Sequence, residues 1–350
     1  MIMFAEVAFP ISSYTQFTYS IPKEFIDQIQ IGTRVKAPLG RRLVTGIVVS
    51  KSTESDYKGK HRSIKEIVDQ QPVIDKKLWK LVQWMSKYYF TPLGQVVKTV
   101  LPAKLSTHYS PPTTQCVTFK SFGENIEMLK KRAPRQAKIL QYLSDQENAI
   151  PIAALKQMVS NPNTVCKTLF EKGLVTLDEI TNLPDVTGFT FSEIHKEIAF
   201  TVEQQLAIDD LSTKLNSGEF SPTLLHGVTG SGKTEVYLQA IEPILAAGKQ
   251  ILILVPEIGL TPQTVSRFEK RFNIDVGVLH SQLSDKARLR VWQRARAGEL
   301  GIIIGTRSAI FTPLKTPGMI IVDEEHDESF KQQDGLRYHA RDLAAMRAKQ

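Results

Sequence analysis

The spacing of apolar residues changes along the chain, and the first pattern predicts a small β-rich domain. Up to residue 107, short β-branched and aromatic runs are separated by proline and glycine, as in an all-β barrel or sandwich. These runs are FAEVAFP, FTYSIP, TRVKAPLG and LVTGIVVS. An amphipathic helix is predicted after them, because apolar residues then recur at i, i+3, i+4 and i+7. The four residues are Leu78, Leu81, Val82 and Met85.

Residues 108–180 have a helical pattern instead. PRQAKILQYL, IAALKQMV and NTVCKTLFEKG predict three short helices, the third capped by Asn163 and Gly173, and LVTLDEI predicts a strand. Three helices and a β-wing indicate an α+β winged-helix domain, a class whose DNA-binding members place the third helix in the major groove. Because that helix offers only Lys167 and Lys172 as cations, duplex recognition and a structural or docking role are equally open.

A polar stretch with proline and glycine at 181–197 predicts a linker, and the pattern changes again from 198 to 350. Strand-like apolar runs now alternate with helical patterns; the runs are TLLHG, ILILVP, VGVLH, GIIIGT and MIIVDEEH. This βαβ alternation predicts an α/β lobe built on a parallel sheet that helices cover on both faces. The chain is therefore expected to be multidomain.

Composition narrows the class of protein. Apolar residues make up 42 % and charged residues 23 % of the 350 positions, as in soluble globular proteins. No apolar run approaches the length of a membrane span, and the N-terminus lacks the basic region of a signal peptide. Two cysteines cannot by themselves form a disulfide framework or a zinc site. We expect a cytoplasmic protein, and its net charge of +8 is compatible with a polyanionic partner.

The segment from Gly227 to Thr234, G-V-T-G-S-G-K-T, has the spacing of a phosphate-binding P-loop. It lies between a predicted strand and a predicted helix, the context in which this motif is specific. Lys233 would reach the β- and γ-phosphates, and the Thr234 hydroxyl would ligate Mg²⁺. The backbone of the loop would hold the phosphates through Gly227, Val228, Thr229, Gly230, Ser231 and Gly232.

Two further motifs support a nucleotide site. Asp323 and Glu324 follow a buried strand, at the sheet edge where open α/β sheets bind ligands. Asp323 would hold Mg²⁺, and Glu324 would act as general base on the attacking water. Upstream, Gln204 could contact both hydrogen-bonding edges of adenine, although a solvated glutamine is an equally simple interpretation.

These motifs together resemble the DEAH-like superfamily 2 helicases, which have a RecA-like P-loop lobe. LVPEIGLTPQT at 254–264 looks like helicase motif Ia, and IIIGTRSAIF at 302–311 looks like motif Ib. The resemblance implies that these loops hold one nucleic-acid strand by its phosphates, through Thr261, Thr306 and Arg307. An ordinary loop is the alternative for the second motif.

A more specific resemblance covers the whole chain. DEEHDESFKQQDGLRYHARDLAAMRA at 323–348 and the N-terminal run from VAFPISS to GIVVS look very like the replication-restart helicase family PriA, also called primosomal protein N′. This resemblance implies that residues 1–105 bind the 3′ end of a nascent leading strand, with Phe17, Tyr19 and Gly40 as pocket walls. Thr18 stands where several family members have an acidic residue.

The same resemblance implies a loop that couples DNA binding to ATP hydrolysis, from Phe330 to Tyr338. Its side chains suit stacking and phosphate contact on single-stranded DNA. The candidates are Phe330, Arg337, Tyr338 and His339.

The resemblance predicts an ATP- and Mg²⁺-dependent 3′-to-5′ DNA helicase that recognises stalled forks and initiates replication restart. Its partners would be forked and single-stranded DNA, other primosome proteins and single-strand-binding protein. The protein would not bind a membrane and would act as a monomer. The chain is expected to be a fragment with little turnover, because a second motor lobe and the family's zinc insert are not found in it. The alternatives are a general P-loop DNA translocase and a non-catalytic fork-binding scaffold.

Overall fold

The fold is taken from a computed structural model, which describes residues 3–55, 57, 59–69, 71–106, 113–122, 126–146, 148–181 and 199–350. The chain forms two compact units, one from Met1–Tyr109 with Asp185–Gln350 and one from Ser110–Pro184. Within the described ranges, no helix has the length and apolar character needed to cross a membrane. Most of the predicted linker, 181–197, lies outside the described residues.

The first unit begins with an antiparallel five-stranded sheet of order β2-β1-β4-β3-β5. Its strands are β1 (Met3–Ala8), β2 (Phe17–Ile21), β3 (Arg34–Leu39), β4 (Arg42–Ser52) and β5 (Glu66–Ile67). Each of the four runs predicted as strands forms one, β1 to β4. In β3 the alternate residues Val35 and Ala37 are fully buried, as the two-residue period of a strand requires.

Three helices follow this sheet, α1 (Lys76–Tyr88), α2 (Leu93–Val100) and α3 (Ala103–Ser106). Asp75 caps α1 by accepting a hydrogen bond from the Leu78 backbone N–H at 2.8 Å. The predicted apolar face of α1 is confirmed, since its four residues are all buried. That face therefore provides the contact surface for the rest of the unit.

The second unit, considered by itself, combines a three-stranded antiparallel sheet of order β7-β6-β8 with short helices. Its elements are β6 (Thr113–Phe119), α4 (Ile126–Arg132), α5 (Pro134–Ser144), β7 (Ile150–Pro151), α6 (Pro162–Glu171) and β8 (Val175–Thr181). The first and third predicted helices correspond to α5 and α6, whereas the second is a 3₁₀ helix, Ile152–Gln157. The N-cap of α6 is Asn161, not Asn163, because Pro162 opens the helix at a position where a missing N–H costs nothing.

The remainder of the first unit is an α/β lobe with a parallel sheet of order β10-β11-β9-β12. Its elements are α7 (Val202–Ser217), α8 (Lys233–Ala246), β9 (Gln250–Leu254), α9 (Pro262–Phe272), β10 (Val276–Leu279), α10 (Asp285–Ala297), β11 (Ile302–Gly305), β12 (Pro317–Val322) and α11 (Ala340–Lys349). The predicted parallel sheet is therefore present.

Helices cover both faces of this sheet. Ile251 and Ile253 of β9 point into a core shared with α8 and α9. Leu252 and Leu254 point the other way, into a core that continues through α10 and α11 to the N-terminal helix α1. The N-terminal helices and the lobe therefore share one hydrophobic core.

Hydrogen bonds also join the N-terminal part to the lobe, in addition to this core. Arg296 on α10 donates to the Pro72 carbonyl at 2.5 Å, and the His339 backbone N–H donates to the Tyr89 hydroxyl at 3.4 Å. Burial lowers the pKa of Arg296, and the carboxylates of Asp69 and Asp75 oppose that shift. These contacts fix the N-terminal part against the lobe.

The run TLLHG was predicted to be the strand that enters the P-loop, and this prediction is wrong for the structure. Among described residues 199–249 no strand is formed, and β12 is the edge of the described sheet. Leu224 is 71 % exposed, so the run gains little of the apolar burial that would hold a strand beside β12. The P-loop is therefore held in place by its helix and by side-chain contacts.

Candidate nucleotide and DNA sites

The P-loop precedes α8, which begins at Lys233. Gly230 and Gly232 both have φ of +82°, in the left-handed region that favours glycine. A Cβ added at Gly232 would also meet Gln204 Nε2 at 2.4 Å. The second of these glycines is therefore required both by its backbone conformation and by the close approach of a side chain.

The Lys233 side chain is hydrogen-bonded to the backbone of the P-loop itself. Its Nζ donates to the Gly227 carbonyl at 2.7 Å and to the Val228 carbonyl at 3.2 Å. Both acceptors are neutral, whereas a phosphate oxygen is charged and forms a stronger hydrogen bond with an ammonium group. The amine is thus already located at the loop that is predicted to bind phosphate.

Gln204 supports the same loop through both ends of its amide. Its Oε1 accepts from the Thr201 backbone N–H at 3.0 Å, completing a capping box at the start of α7, and its Nε2 donates to the Ser231 carbonyl at 2.9 Å. Contact with adenine stays a prediction, and it would require the amide to exchange these partners. The T-x-x-Q pattern that signals a capping box is visible in the sequence.

Asp323 follows the carboxyl end of β12, at the predicted edge of the sheet. Its Oδ1 accepts from the Glu324 backbone N–H at 3.1 Å, and its Oδ2 accepts from the Tyr237 hydroxyl at 3.2 Å. Glu324 has φ of +47°, a strained conformation for a residue with a Cβ, and its carboxylate lies 3.8 Å from His326 Nε2. Strain of this kind is concentrated at functional sites, which is consistent with the general-base role predicted for Glu324.

Tyr237 brings the two predicted Mg²⁺ ligands together. Besides its bond to Asp323, its hydroxyl interacts with the side chain of Thr234. Burial, the largest cause, raises the pKa of Tyr237, so the phenol stays protonated. A hydroxyl and a carboxylate are the hard oxygen donors that Mg²⁺ prefers, so these residues fit the ion. Among the described residues, here or elsewhere, no group of three or more His, Cys, Asp or Glu side chains could hold a metal ion.

The predicted DNA-contacting residues of motifs Ia and Ib have structural partners already. Thr261 is the N-cap of α9 and accepts from the Thr264 backbone N–H at 3.2 Å. Thr306 is buried, at 5 % exposure, and Arg307 donates to the carbonyls of Ser329 and Lys331. Phosphate contact by these residues stays a prediction. The two hydrogen bonds of Arg307 connect the motif Ib segment to the start of the predicted coupling loop, Phe330 to Tyr338.

Two aromatic residues of that loop are not available for stacking on bases in this structure. Phe330 is 0 % and Tyr338 2 % exposed, and the Tyr338 ring packs edge-on against Phe311 with centroids 5.0 Å apart. Both rings are recruited into the hydrophobic core, where burial of an aromatic ring is strongly favourable. The stacking predicted for them is corrected accordingly.

The two polar members of the loop lie nearer the surface. Arg337 is exposed and donates through Nε to the Gln333 carbonyl at 3.1 Å. His339 is half-buried, and burial lowers its pKa. For these two residues, phosphate contact stays a prediction.

An open basic cleft lies beside the N-terminal sheet. It is lined by Pro38, Lys60, His61, Arg62, Ser63 and Lys65. The cleft segment is fixed to β2, because the Ser20 N–H donates to the Arg62 carbonyl at 3.0 Å and the hydroxyls of Ser20 and Ser63 lie 2.8 Å apart. Four cationic or titratable side chains thus surround one depression.

Two of the three predicted pocket walls border this cleft. The Tyr19 hydroxyl donates to the Pro38 carbonyl at 2.8 Å, and Arg62 donates to the Gly40 carbonyl at 2.5 Å. Phe17 instead packs edge-on against Phe9, with centroids 5.7 Å apart. Arg41 and Arg42 follow Gly40 directly and are exposed, so the bond to Gly40 joins two basic segments.

Comparison with known proteins gives these two sites a common context. Residues 6–102 match the family model of the PriA 3′DNA-binding domain (3′BD), and residues 201–350 match the DEAD/DEAH box helicase model. The replication restart protein PriA of Haemophilus influenzae is 41 % identical over 342 residues, which is 95 % of this chain and 45 % of the relative. The chain belongs to the PriA family.

Other PriA relatives show the same extent of similarity. PriA of Chlamydia pneumoniae is 38 % identical over 99 % of this chain and 47 % of its own length. PriA of Bacillus subtilis is 32 % identical over 99 % of this chain and 51 % of its own length. The chain thus spans about half the length of the curated relatives it matches.

The matches place the cleft within the region similar to the PriA 3′DNA-binding domain, and the P-loop and Asp323 within the helicase region. Sequence reasoning missed Tyr237 and the cleft residues Ser63 and Lys65. A signal for Tyr237 existed, since it follows Lys233 by one helical turn. The cleft arises from pairing between distant segments, for which no local signal exists.

Proposed function

We propose that this chain contains the DNA-binding and first motor-lobe parts of an ATP-dependent 3′-to-5′ DNA helicase that recognises stalled or abandoned replication forks and initiates restart. The observation that carries this proposal is the union, in one compact unit with a shared core, of a basic cleft and a P-loop linked to Asp323. We propose that DNA binding at the cleft is coupled to the motor lobe through this shared packing.

The nucleotide site would work through the contacts described above. When bound with Mg²⁺, ATP supplies the phosphoryl group whose transfer to water drives movement along DNA. Lys233 would exchange its two carbonyl acceptors for phosphate oxygens, and Thr234 and Asp323 would hold the metal ion. Glu324 would accept the proton of the attacking water. We also propose that this RecA-like lobe closes onto a second motor lobe.

The N-terminal cleft would bind the 3′ end of a DNA strand. Its side chains and the adjacent turn supply positive charge, from Arg41, Arg42, Lys60, Arg62 and Lys65. Phosphate contacts of this kind give affinity without sequence preference, which suits a protein that acts at forks of any sequence. Thr18 shares a face of β2 with Ser20, which contacts the cleft, so its hydroxyl is placed to substitute for the acidic residue of other members.

The remaining parts of the proposal concern the second unit and the cellular context. The second unit, with its helices α5 and α6 and the sheet strand β8, would act as a winged helix near the parental duplex. The protein would work in the cytoplasm as a monomer, with other primosome proteins and single-strand-binding protein as partners. Zinc would be held outside the residues of this chain.

Removal of the Arg62 side chain is expected to weaken binding to a fork by about tenfold, because a charge-assisted hydrogen bond contributes roughly 1.5–3 kcal/mol. The loss should be confined to forks with a free 3′ hydroxyl at the junction, compared with forks ending in a 3′ phosphate. Fluorescence anisotropy of the chain with both forks across a salt series measures this. Lys76→Ala, which removes an exposed cation of α1, is the matched control.

The result separates the proposed function from its alternatives. Tighter binding to the free 3′ hydroxyl that depends on Arg62 supports capture of a 3′ end. Equal binding to both forks with a steep salt dependence supports a general P-loop translocase, since phosphate contacts alone then account for affinity. Fork binding without any nucleotide binding supports a scaffold.

A further inference from the structure

The Tyr237 side chain connects two parts of the nucleotide site that are 86 positions apart in the chain. It lies on α8 one turn after Lys233 and Thr234, so the helix directs these side chains toward the same region. The ring is 9 % exposed and stacks on Phe268 of α9, with centroids 6.4 Å apart and planes within 8° of parallel. Packing therefore fixes the position of its hydroxyl.

That hydroxyl holds the Asp323 carboxylate in one orientation. It donates to Oδ2 at 3.2 Å, while the Glu324 backbone N–H donates to Oδ1 at 3.1 Å. Each carboxylate oxygen can accept two hydrogen bonds or metal contacts, so both oxygens keep a free lone pair. The side chain can thus be held by the protein and still bind a metal ion or its water.

The same hydroxyl also contacts the Thr234 side chain. When Thr234 donates its proton to the Tyr237 oxygen, the lone pairs of the threonine oxygen are free for a cation. One buried phenol thereby interacts with both predicted Mg²⁺ ligands: it is hydrogen-bonded to Asp323 at the end of β12 and lies on the P-loop helix with Thr234.

We propose that Tyr237 is a positioning residue for the magnesium–nucleotide complex: it fixes the Thr234 hydroxyl and the Asp323 carboxylate relative to each other. This rests on the proposed ATP-dependent function. Partners behind the ligands of a metal site typically change its affinity by about 10- to 100-fold. A role limited to core packing would instead depend on the ring alone, which phenylalanine retains.

The test compares the whole 350-residue chain with its Tyr237→Phe variant. A fluorescent ATP analogue is titrated in EDTA and at increasing Mg²⁺ concentration. The variant should bind the analogue in EDTA as the wild type does, but should need about tenfold more Mg²⁺ for half-maximal enhancement of binding. The control is Tyr14→Phe, which removes a different tyrosine hydroxyl, one that donates to the Phe90 carbonyl. It should change neither the binding in EDTA nor the Mg²⁺ dependence.

A second variant keeps the test independent of folding effects. In Asp323→Asn, further replacement of Tyr237 by phenylalanine should cause a smaller additional loss of Mg²⁺ dependence than in the wild type, because one of the two side chains through which Tyr237 acts is already changed. An identical Mg²⁺ dependence of wild type and Tyr237→Phe would overturn the proposal, and so would additive losses in the double variant. Nucleotide binding by the wild type that is absent or indifferent to Mg²⁺ would instead refute the proposed function at this site, and the inference with it.

Discussion

Replacement of Lys233 by alanine is expected to lower the affinity of the chain for Mg²⁺–ATP by about 100-fold. Lys233 Nζ makes two hydrogen bonds to loop carbonyls that we expect to be exchanged for two bonds to phosphate oxygens. Two hydrogen bonds to charged groups at roughly 1.5 kcal/mol each give about 3 kcal/mol, which corresponds to about two powers of ten. Titration with a fluorescent ATP analogue measures the loss directly.

Fork binding supplies the internal control for this variant. The cleft that we propose for the 3′ end lies in the N-terminal part, away from the P-loop in the chain, so Lys233→Ala should bind forks as the wild type does. Lys249→Ala removes an exposed lysine just after α8 and should leave nucleotide affinity unchanged. Equal losses from Lys233→Ala and Lys249→Ala would mean that only general positive charge matters, and the P-loop assignment would be refuted.

The P-loop lysine was predictable because its position is encoded by local spacing. Glycines that permit positive φ, a lysine at the start of a helix and an acidic pair after an apolar strand are all features of short segments. The same holds for β9 to β12, whose apolar runs are long enough to specify buried parallel strands. Local pattern therefore identified the parallel-sheet lobe, and nucleotide binding by its motifs stays a prediction.

The solvent exposure of individual side chains was much less predictable than the type of secondary structure. The sequence places Phe330 and Tyr338 in a polar loop. No feature of the neighbouring sequence distinguishes an aromatic ring that packs in the core from one that is exposed for stacking on a base. Leu224 illustrates the opposite error, since its apolar run suggested a buried strand and is exposed. Both outcomes depend on which distant surfaces are available, and the spacing of residues in one segment does not contain that information.

A buried ion pair in the N-terminal part shows a further limit of local pattern. Arg34 on β3 and Asp69 are 35 positions apart, and neither lies in a recognisable motif. Their side chains are 2 % and 7 % exposed, and the Arg34 Nη2 to Asp69 Oδ1 distance is 2.5 Å. Arg34 Nε also donates to Asp69 Oδ2 at 2.8 Å, and its Nη1 donates to the Leu105 carbonyl at 2.7 Å.

Removal of the carboxylate in Asp69→Ala is expected to lower the free energy of unfolding by about 3–5 kcal/mol. The Arg34 guanidinium would remain buried without its counter-charge, and Arg296 of the lobe would lose a carboxylate that stabilises its charged form. Urea denaturation followed by tryptophan fluorescence is the measurement. It reports on the first unit alone, since Trp79, Trp84 and Trp292 all lie within it.

A neighbouring exposed pair on the same strand provides the matched control. Lys36 donates to both carboxylate oxygens of Glu66 at 2.8 Å, but its side chain is 24 % exposed and that of Glu66 is 51 % exposed. Water solvates both charges after the pair is broken, so Glu66→Ala should cost about 0–1 kcal/mol. Similar losses from Asp69→Ala and Glu66→Ala would contradict the expected dependence on burial.

A third variant separates the loss of an attraction from the burial of an unpaired charge. In Arg34→Met/Asp69→Leu both charges of this buried pair are removed, so the double variant should be more stable than Asp69→Ala, which leaves the Arg34 charge unpaired. Its remaining cost would come from the Leu105 carbonyl, which loses the donor at 2.7 Å, and from the backbone N–H of residue 34, which loses the Asp69 acceptor at 3.3 Å. Arg296 would lose the Asp69 carboxylate here as well. A double variant less stable than Asp69→Ala would instead show that the pair is strongly net-attractive. Its contribution would then exceed the cost of removing two charged groups from water.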